Sequence, residues 1–289
     1  MASKHYDRAA EDMGNIVHLE HVNTRIDDQR IATLFYVAGL GFTRDPYLMT
    51  STNNMWINVG RSQFHLPTGA PQVLRGRTGL VMPSLDKLPK RLAAVEKQLE
   101  GTKFRFKVGN SAIEVTSPWG NRFVCHAPEE RFGRTSLGIP YVELDVPEGT
   151  AEGIARFYRE IFSNPATVED GCARVPVGYR QELIYRETDA AQPDYDGHHI
   201  QVYVADFSGP HRKLKERGLI AEESDQYQYR VVDLVDPDNG DKLFTFEHEV
   251  RSLTHPLFAR PLVNRNPDES NLSYAPGHEN RSWALADPR

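Results

Sequence analysis

The stretch Gly197-His198-His199-Ile200-Gln201-Val202-Tyr203-Val204-Ala205-Asp206 alternates in character and breaks at an acidic turn. Side chains of a strand point alternately to its two faces, so His199, Gln201 and Tyr203 share one face and Ile200, Val202 and Val204 the other. The apolar face suits packing beneath helices. The opposite face brings an imidazole, an amide and a phenol into one space. His21-Val22-Asn23-Thr24-Arg25-Ile26-Asp27-Asp28 and Tyr141-Val142-Glu143-Leu144-Asp145-Val146-Pro147-Glu148 have the same form. In all three, an acidic residue stands seven positions after His199, His21 or Tyr141.

Working outward, these strands open repeated units. After the strand at 16–27, Ile31, Leu34, Phe35 and Ala38 recur at helical spacing, and Gly39 and Gly41 end the helix. Short strands follow at 41–45, 54–59 and 62–67, giving one β-α-β-β-β unit. A second unit begins near Arg77, with Leu85, Leu88, Leu92, Val95 and Leu99 along one helix side and strands at 103–108, 111–116 and 122–126. The arrangement then repeats, since Tyr141 lies 120 residues after His21 and Phe157-Tyr158 answers Phe35-Tyr36. The helix at 150–162 carries Ile154, Phe157, Tyr158 and Ile161 on one stripe. The fourth unit runs from His199 through a helix near 210–217 to a final strand at 242–250.

The 289 residues suffice for two domains. The division read from the chain is a flexible leader at 1–14, a first domain at 15–128, a linker at 129–137, a second domain at 138–251 and an extended or disordered tail at 252–289. Hydrophobic content of 39% and charged content of 26% suit a globular protein. A net charge of −6 offers no basic footprint for nucleic acid or an anionic membrane. No apolar run approaches the roughly 20 residues of a membrane span. Cys125 and Cys172 are the only cysteines, which excludes a thiolate zinc site and a disulfide framework and fits a reducing, cytoplasmic setting. Both read as small buried apolar residues.

Four β-α-β-β-β units, opened by His-Val-type strands with acidic turns and Phe-Tyr helices, resemble the vicinal oxygen chelate superfamily of glyoxalases, fosfomycin and bleomycin resistance proteins and extradiol dioxygenases. The resemblance covers about 16–250. It implies an α+β fold in which four βαβββ modules pair into two open, cup-shaped β-barrel domains, with metal-ligand positions on the first and last strands of each unit.

Carried onto this chain, the resemblance implies Tyr141, His199 and Glu247 as the set of the second domain, where an extradiol dioxygenase has His, His and Glu. Glu143 is the substitute for the departing Tyr141. The register of the last strand also admits Phe244 or Thr245, so Glu247 requires a bulge or a shifted pairing. In the first domain, His21, His65 and His126 are candidate ligands; Val124 stands at the usual last-strand position and Arg77-Thr78 at the remaining one. Gln201, Tyr203 and His126 are candidate substrate-contacting groups, and Arg180 and Arg186 candidates for a substrate carboxylate. The implied cofactor is a divalent metal, Fe(II), Mn, Ni or Zn, chelated by two neighbouring oxygens of a small, catechol-like or otherwise oxygenated substrate. The expected activity is dioxygenase-like or isomerase- or lyase-like. The alternative is a non-catalytic protein that sequesters a small molecule. A homodimer is expected from exposed sheet edges and the tail.

Overall fold

A computed structural model of the chain describes residues 6–48 and 50–274. Parts of the expected leader (1–5) and tail (275–289) lie outside the described residues.

The four units form as the periodicity requires. The first holds β1 (Ile16–Asn23), α1 (Gln29–Ala32), β2 (Thr43–Arg44), β3 (Asn54–Val59) and β4 (Ser62–Pro67). The second holds β5 (Gly76–Val81), α2 (Leu88–Glu96), β6 (Arg105–Val108), β7 (Ala112–Thr116) and β8 (Arg122–His126). The third holds β9 (Gly138–Pro147), α3 (Ala151–Glu160), β10 (Thr167–Glu169), β11 (Cys172–Gly178) and β12 (Gln181–Thr188). The fourth holds β13 (His199–Val204), α4 (Ser208–Glu216), β14 (Ile220–Asp225), β15 (Gln228–Val235) and β16 (Lys242–Ser252).

Local chemistry sets the boundaries. Asp28 Oδ1 accepts from the backbone N–H groups of Arg30 and Ile31 at 2.7 and 3.0 Å, capping α1. The helix then widens over Thr33–Gly39, closing Leu40 N–H onto the Phe35 carbonyl, and stops at Gly41, whose φ is +81°. Asp170-Gly171, both with positive φ, turn β10 into β11 as a tight hairpin requires.

Two eight-stranded sheets result. One runs β14-β15-β16-β13-β1-β4-β3-β2 and the other β10-β11-β12-β9-β5-β8-β7-β6. The first unit therefore shares a sheet with the fourth, and the second with the third. The division into 15–128 and 138–251 follows chain order; the backbone ladders cross it. Helix packing keeps the chain-order neighbours together. The Tyr36 ring lies 5.5 Å from Phe64 on β4 and 6.2 Å from Phe123 on β8, and Tyr158 on α3 lies 5.8 Å from Tyr185 on β12 and 5.9 Å from His248 on β16. Each unit thus joins one neighbour through its sheet and another through its helix. Fully buried aromatics at these crossings, each contributing about 1.5–3 kcal/mol of burial, hold the sheets against the helical layer. Gln181 ties the sheets together directly: its amide nitrogen reaches the carbonyls of Leu19 and Ile139, both at 3.1 Å. Among the described residues no helix is long and apolar enough to cross a membrane. Cys125 and Cys172 are free and buried.

Candidate metal centre

The face of the first sheet that turns away from the helices gathers residues from the two ends of the chain. Asn23 pairs with His199, His21 with Gln201 and Asn23 with His65, while His199 pairs with Glu247 and Gln201 with Glu249. Strand alternation therefore puts His21, His65, His199, Gln201, Glu247 and Glu249 on one surface. One nitrogen each from His21 and His199 and one oxygen from Glu249 lie within 4.8 Å of one another; Glu20, His21 and His65 form a second such group. All four of the residues His21, His65, His199 and Glu249 are buried.

A bulge makes the second group. Leu19 pairs with Val202 and His21 with Gln201, so Glu20 is an extra residue on β1. Such a residue re-aims its neighbours. Glu20 Oε2 accepts from His21 Nδ1 at 2.7 Å, which leaves the lone pair of His21 on Nε2. A carboxylate behind an imidazole is the usual support for a metal-bound histidine. The His65 ring stacks on His21 at 3.7 Å and on Trp56 at 3.9 Å, and the His21 and His199 rings meet edge to face at 6.0 Å.

Charge completes the picture. Arg230 bridges Glu247 and Glu249, the latter at 2.6 Å, and Arg251 Nη2 lies 2.6 Å from Glu249 Oε1 and its Nη1 3.8 Å from Glu20. Three carboxyl groups thus face two guanidinium groups, an excess of one negative charge when all are ionised. Burial, with the arginines adding to it, holds His21 far below the ordinary imidazole range. Burial holds His65 there too, with His21 adding to it, and takes His199 down to about 3. Burial pushes Glu249 up. At neutral pH all three imidazoles are uncharged and able to donate lone pairs. Gln201 is wholly buried, and among the described residues neither atom of its amide has a hydrogen-bond partner. An amide buried without partners is costly, which marks this spot as one where a ligand or water completes the network.

The expected residues divide between the cups. His21, His65, His199, Gln201 and Tyr203 share the first sheet. Glu247 lies beside His199 with its Oε1 3.5 Å from Nδ1, but it is Glu249, two residues on, whose oxygen joins His21 and His199 in the compact group. The register His199 to Glu247 and Gln201 to Glu249 sets Glu249 level with His21. Tyr141 and His126 are in the other sheet, bonded to each other at 2.9 Å. The grouping of Tyr141 with His199 and Glu247 is corrected accordingly: β9 pairs with β5 and β12, so the strand beside β13 is β1. His126 likewise is not near His21 and His65, because β8 pairs with β5 and β7. Phe244 faces the core and Thr245 binds Asp233.

The registers also align the two sheets position by position. His21 corresponds to Tyr141, Asn23 to Glu143, His65 to Ile184, His199 to Arg77, Gln201 to Gly79 and Glu249 to Val124. The second cup retains none of the four donor residues. Arg77 and Arg186 instead clamp Glu143, at 2.8 and 3.2 Å. The Tyr141 ring covers Gly79 so closely that a Cβ there would sit 2.3 Å from it. Arg180 is exposed, at the turn between β11 and β12 with φ +55°. Glu20, Glu249, Arg230 and Arg251 were not singled out by sequence reasoning. The alternation in Glu247-His248-Glu249 was the available signal for Glu249, whereas the bulge that recruits Glu20 leaves no mark in composition.

No family model and no curated protein sequence matches the chain. Solved structures do, and they show the fold: two sheets built from four β-α-β-β-β units, as in glyoxalase-type proteins. More particularly, the four-unit chain is similar to glyoxalase I from Zea mays, with a TM-score of 0.57 and 15% identity over 81% of this chain and 92% of that one. It is similar also to a Bacillus subtilis protein described provisionally as a dioxygenase, with a TM-score of 0.55 and 14% identity over 83% and 86% of the two chains.

Proposed function

We propose that the chain is a metal-dependent enzyme of the vicinal oxygen chelate type, with its metal held by His21, His199 and Glu249 and with His65 beside it. The observation that carries this reading is the convergence of two neutral imidazoles and a carboxylate within 4.8 Å, from strands at opposite ends of the chain. Two nitrogens and one oxygen on one side of an ion form the two-histidine, one-carboxylate set that leaves coordination positions open for substrate. The supporting features are the Glu20 carboxylate behind His21 and the Gln201 amide, unpartnered among the described residues. A bound divalent ion would act there as a Lewis acid toward two adjacent oxygens of a small substrate.

The chain's own residues have separable roles in this reading. Glu20 holds the His21 proton on Nδ1 and keeps Nε2 available. Arg230 and Arg251 orient Glu249 and temper its charge. Gln201 offers one donor and one acceptor to a polar substrate group, and Tyr203 extends the same face. Dioxygenase-like and isomerase- or lyase-like chemistry both fit this donor set. The second cup, with Arg77, Ile184 and Val124 at the equivalent positions, serves a structural role.

The test is metal content of protein purified without a metal-affinity step, for wild type, His21→Ala, His199→Ala and Tyr141→Phe. About one metal per wild-type chain, lost in both histidine variants and kept in Tyr141→Phe, is expected. Metal retained in His21→Ala would overturn the assignment to this cup. A protein that binds small ligands undiminished after chelation would be a sequestering protein.

A further inference from the structure

The residues after β16 do not leave the sheet. Residues 253–268 cross the mouth of the first cup, from the β13 side to the β2 side. Phe258 packs edge to face on Tyr203 at 4.9 Å. Arg260 Nη2 donates to Asp45 Oδ2 at 2.6 Å, with its guanidinium 5.9 Å above the Trp56 ring. The Val263 carbonyl accepts from Asn58 Nδ2 at 2.9 Å. Asn264 makes two bonds to the Gly60 backbone, Arg265 N–H donates to Thr43 Oγ1, and Asp268 pairs with Lys87 and Arg91.

Two of these anchors converge on His65. Asp45 can only accept, and its Oδ1 is already taken by the backbone N–H groups of Tyr47 and Leu48. Its Oδ2 accepts from Arg260 and from Gln63 Nε2, the latter at 3.1 Å. Asn58 gives its N–H to Val263 and so turns its oxygen to Gln63 Nε2, at 2.6 Å. With both amide protons of Gln63 committed, its Oε1 faces His65 Nε2 at 3.1 Å. An acceptor there requires the His65 proton on Nε2 and leaves the lone pair on Nδ1.

We infer that the C-terminal segment is a working part of the cup: Arg260 and Val263 are positioning groups that set the tautomer of His65 through Asp45, Asn58 and Gln63, and the segment covers the cluster. The tautomer claim stands on the hydrogen bonds alone. The covering claim, as tested below, rests on the metal reading above.

Two measurements decide it, on wild type, Arg260→Ala, Arg260→Lys and a chain ending at Ser252. The first is ¹⁵N NMR of histidine-labelled, metal-free protein, with the His65 signals assigned by His65→Gln. Wild type should show a single tautomer protonated at Nε2. Arg260→Ala and the shortened chain should show mixed or fast-exchanging signals, and Arg260→Lys should restore the wild-type pattern. A merely structural segment would lower the unfolding midpoint without changing the tautomer, and an unchanged His65 pattern in the folded Arg260→Ala protein would overturn the inference. The second is the rate at which a chelator strips bound Zn(II). A rise of tenfold or more is expected in Arg260→Ala and the shortened chain; a rate within twofold of wild type in both would remove the covering role. Wild type that takes up no metal would sink the metal reading, and the NMR comparison would still decide this one.

Discussion

His21 and His199 stand on adjacent antiparallel strands, one from the first unit and one from the last, with their rings edge to face at 6.0 Å. Their meeting depends on β1 and β13 sharing a ladder. The donor set therefore exists only when the chain has closed end to end.

Register separates the roles of the two carboxylates on β16. Glu249→Ala should abolish stoichiometric metal binding, because Glu249 supplies the carboxylate that groups with both His21 and His199. Glu247→Ala should weaken binding by less than tenfold, through loss of the Arg230 bridge. Titration against a competing chelator distinguishes them, and the reverse order would move the carboxylate ligand to Glu247.

Glu20 acts through His21. Its replacement by alanine should leave the donor atoms in place but cost about 10–100-fold in metal affinity, the usual effect of losing a carboxylate behind a ligating imidazole. Glu20→Gln, which can still accept through its amide oxygen, should recover part of that. Equal affinities in wild type and Glu20→Ala would deny it this role.

The core histidine His248 gives stability a pH dependence. Its Nδ1–H donates to the Phe246 carbonyl at 2.8 Å, and its Nε2 accepts from Tyr158 at 2.5 Å, so the neutral ring is fully satisfied. Burial lowers its pKa to about 4 from the ordinary 6.5. Between those values the unfolded chain binds the extra proton, so the contribution is intact above pH 6.5, falls as pH drops toward 4 and is constant below. Its full extent is on the order of 3 kcal/mol, or about 1.4 kcal/mol per pH unit. Urea unfolding at pH 7.5 and 5.5 should show a smaller pH effect in His248→Gln than in wild type. His18, His21, His65, His126, His199 and His255 shift in the same direction and add to the effect.

Gly79 is the complement of Tyr141 in the second cup. Gly79→Ala should destabilise by about 1–3 kcal/mol, because the new methyl meets a ring held in place by His126. In the background of Tyr141→Ala most of that cost should vanish, while metal content stays at the wild-type level in all three variants. Additive losses in denaturant unfolding would mean the ring yields freely.

Much of this architecture was legible in the chain. The alternation of His199-Ile200-Gln201-Val202-Tyr203, the Phe-Tyr helices and the near-120-residue repeat specified four β-α-β-β-β units, since each is set by local periodicity. β3, β4 and β8 fall at the expected bounds. His21, His65 and His199 were candidates through the family resemblance, His65 at a position where a glyoxalase-like protein places a carboxylate. Sequence reasoning could not supply the partnership between units. Ladder pairing is a long-range choice, and every unit offers similar edges, so chain order suggested Tyr141 beside His199 where the structure has His21. Which carboxylate stands level with the imidazoles depends on a register set across three strands. Glu20 enters through a bulge, and the route from Arg260 to His65 depends on where the last residues dock. Short-range periodicity is written in residue order; the joining of the first and fourth units, and with it the site, is decided by which sheet edges bury the most when the whole chain has folded.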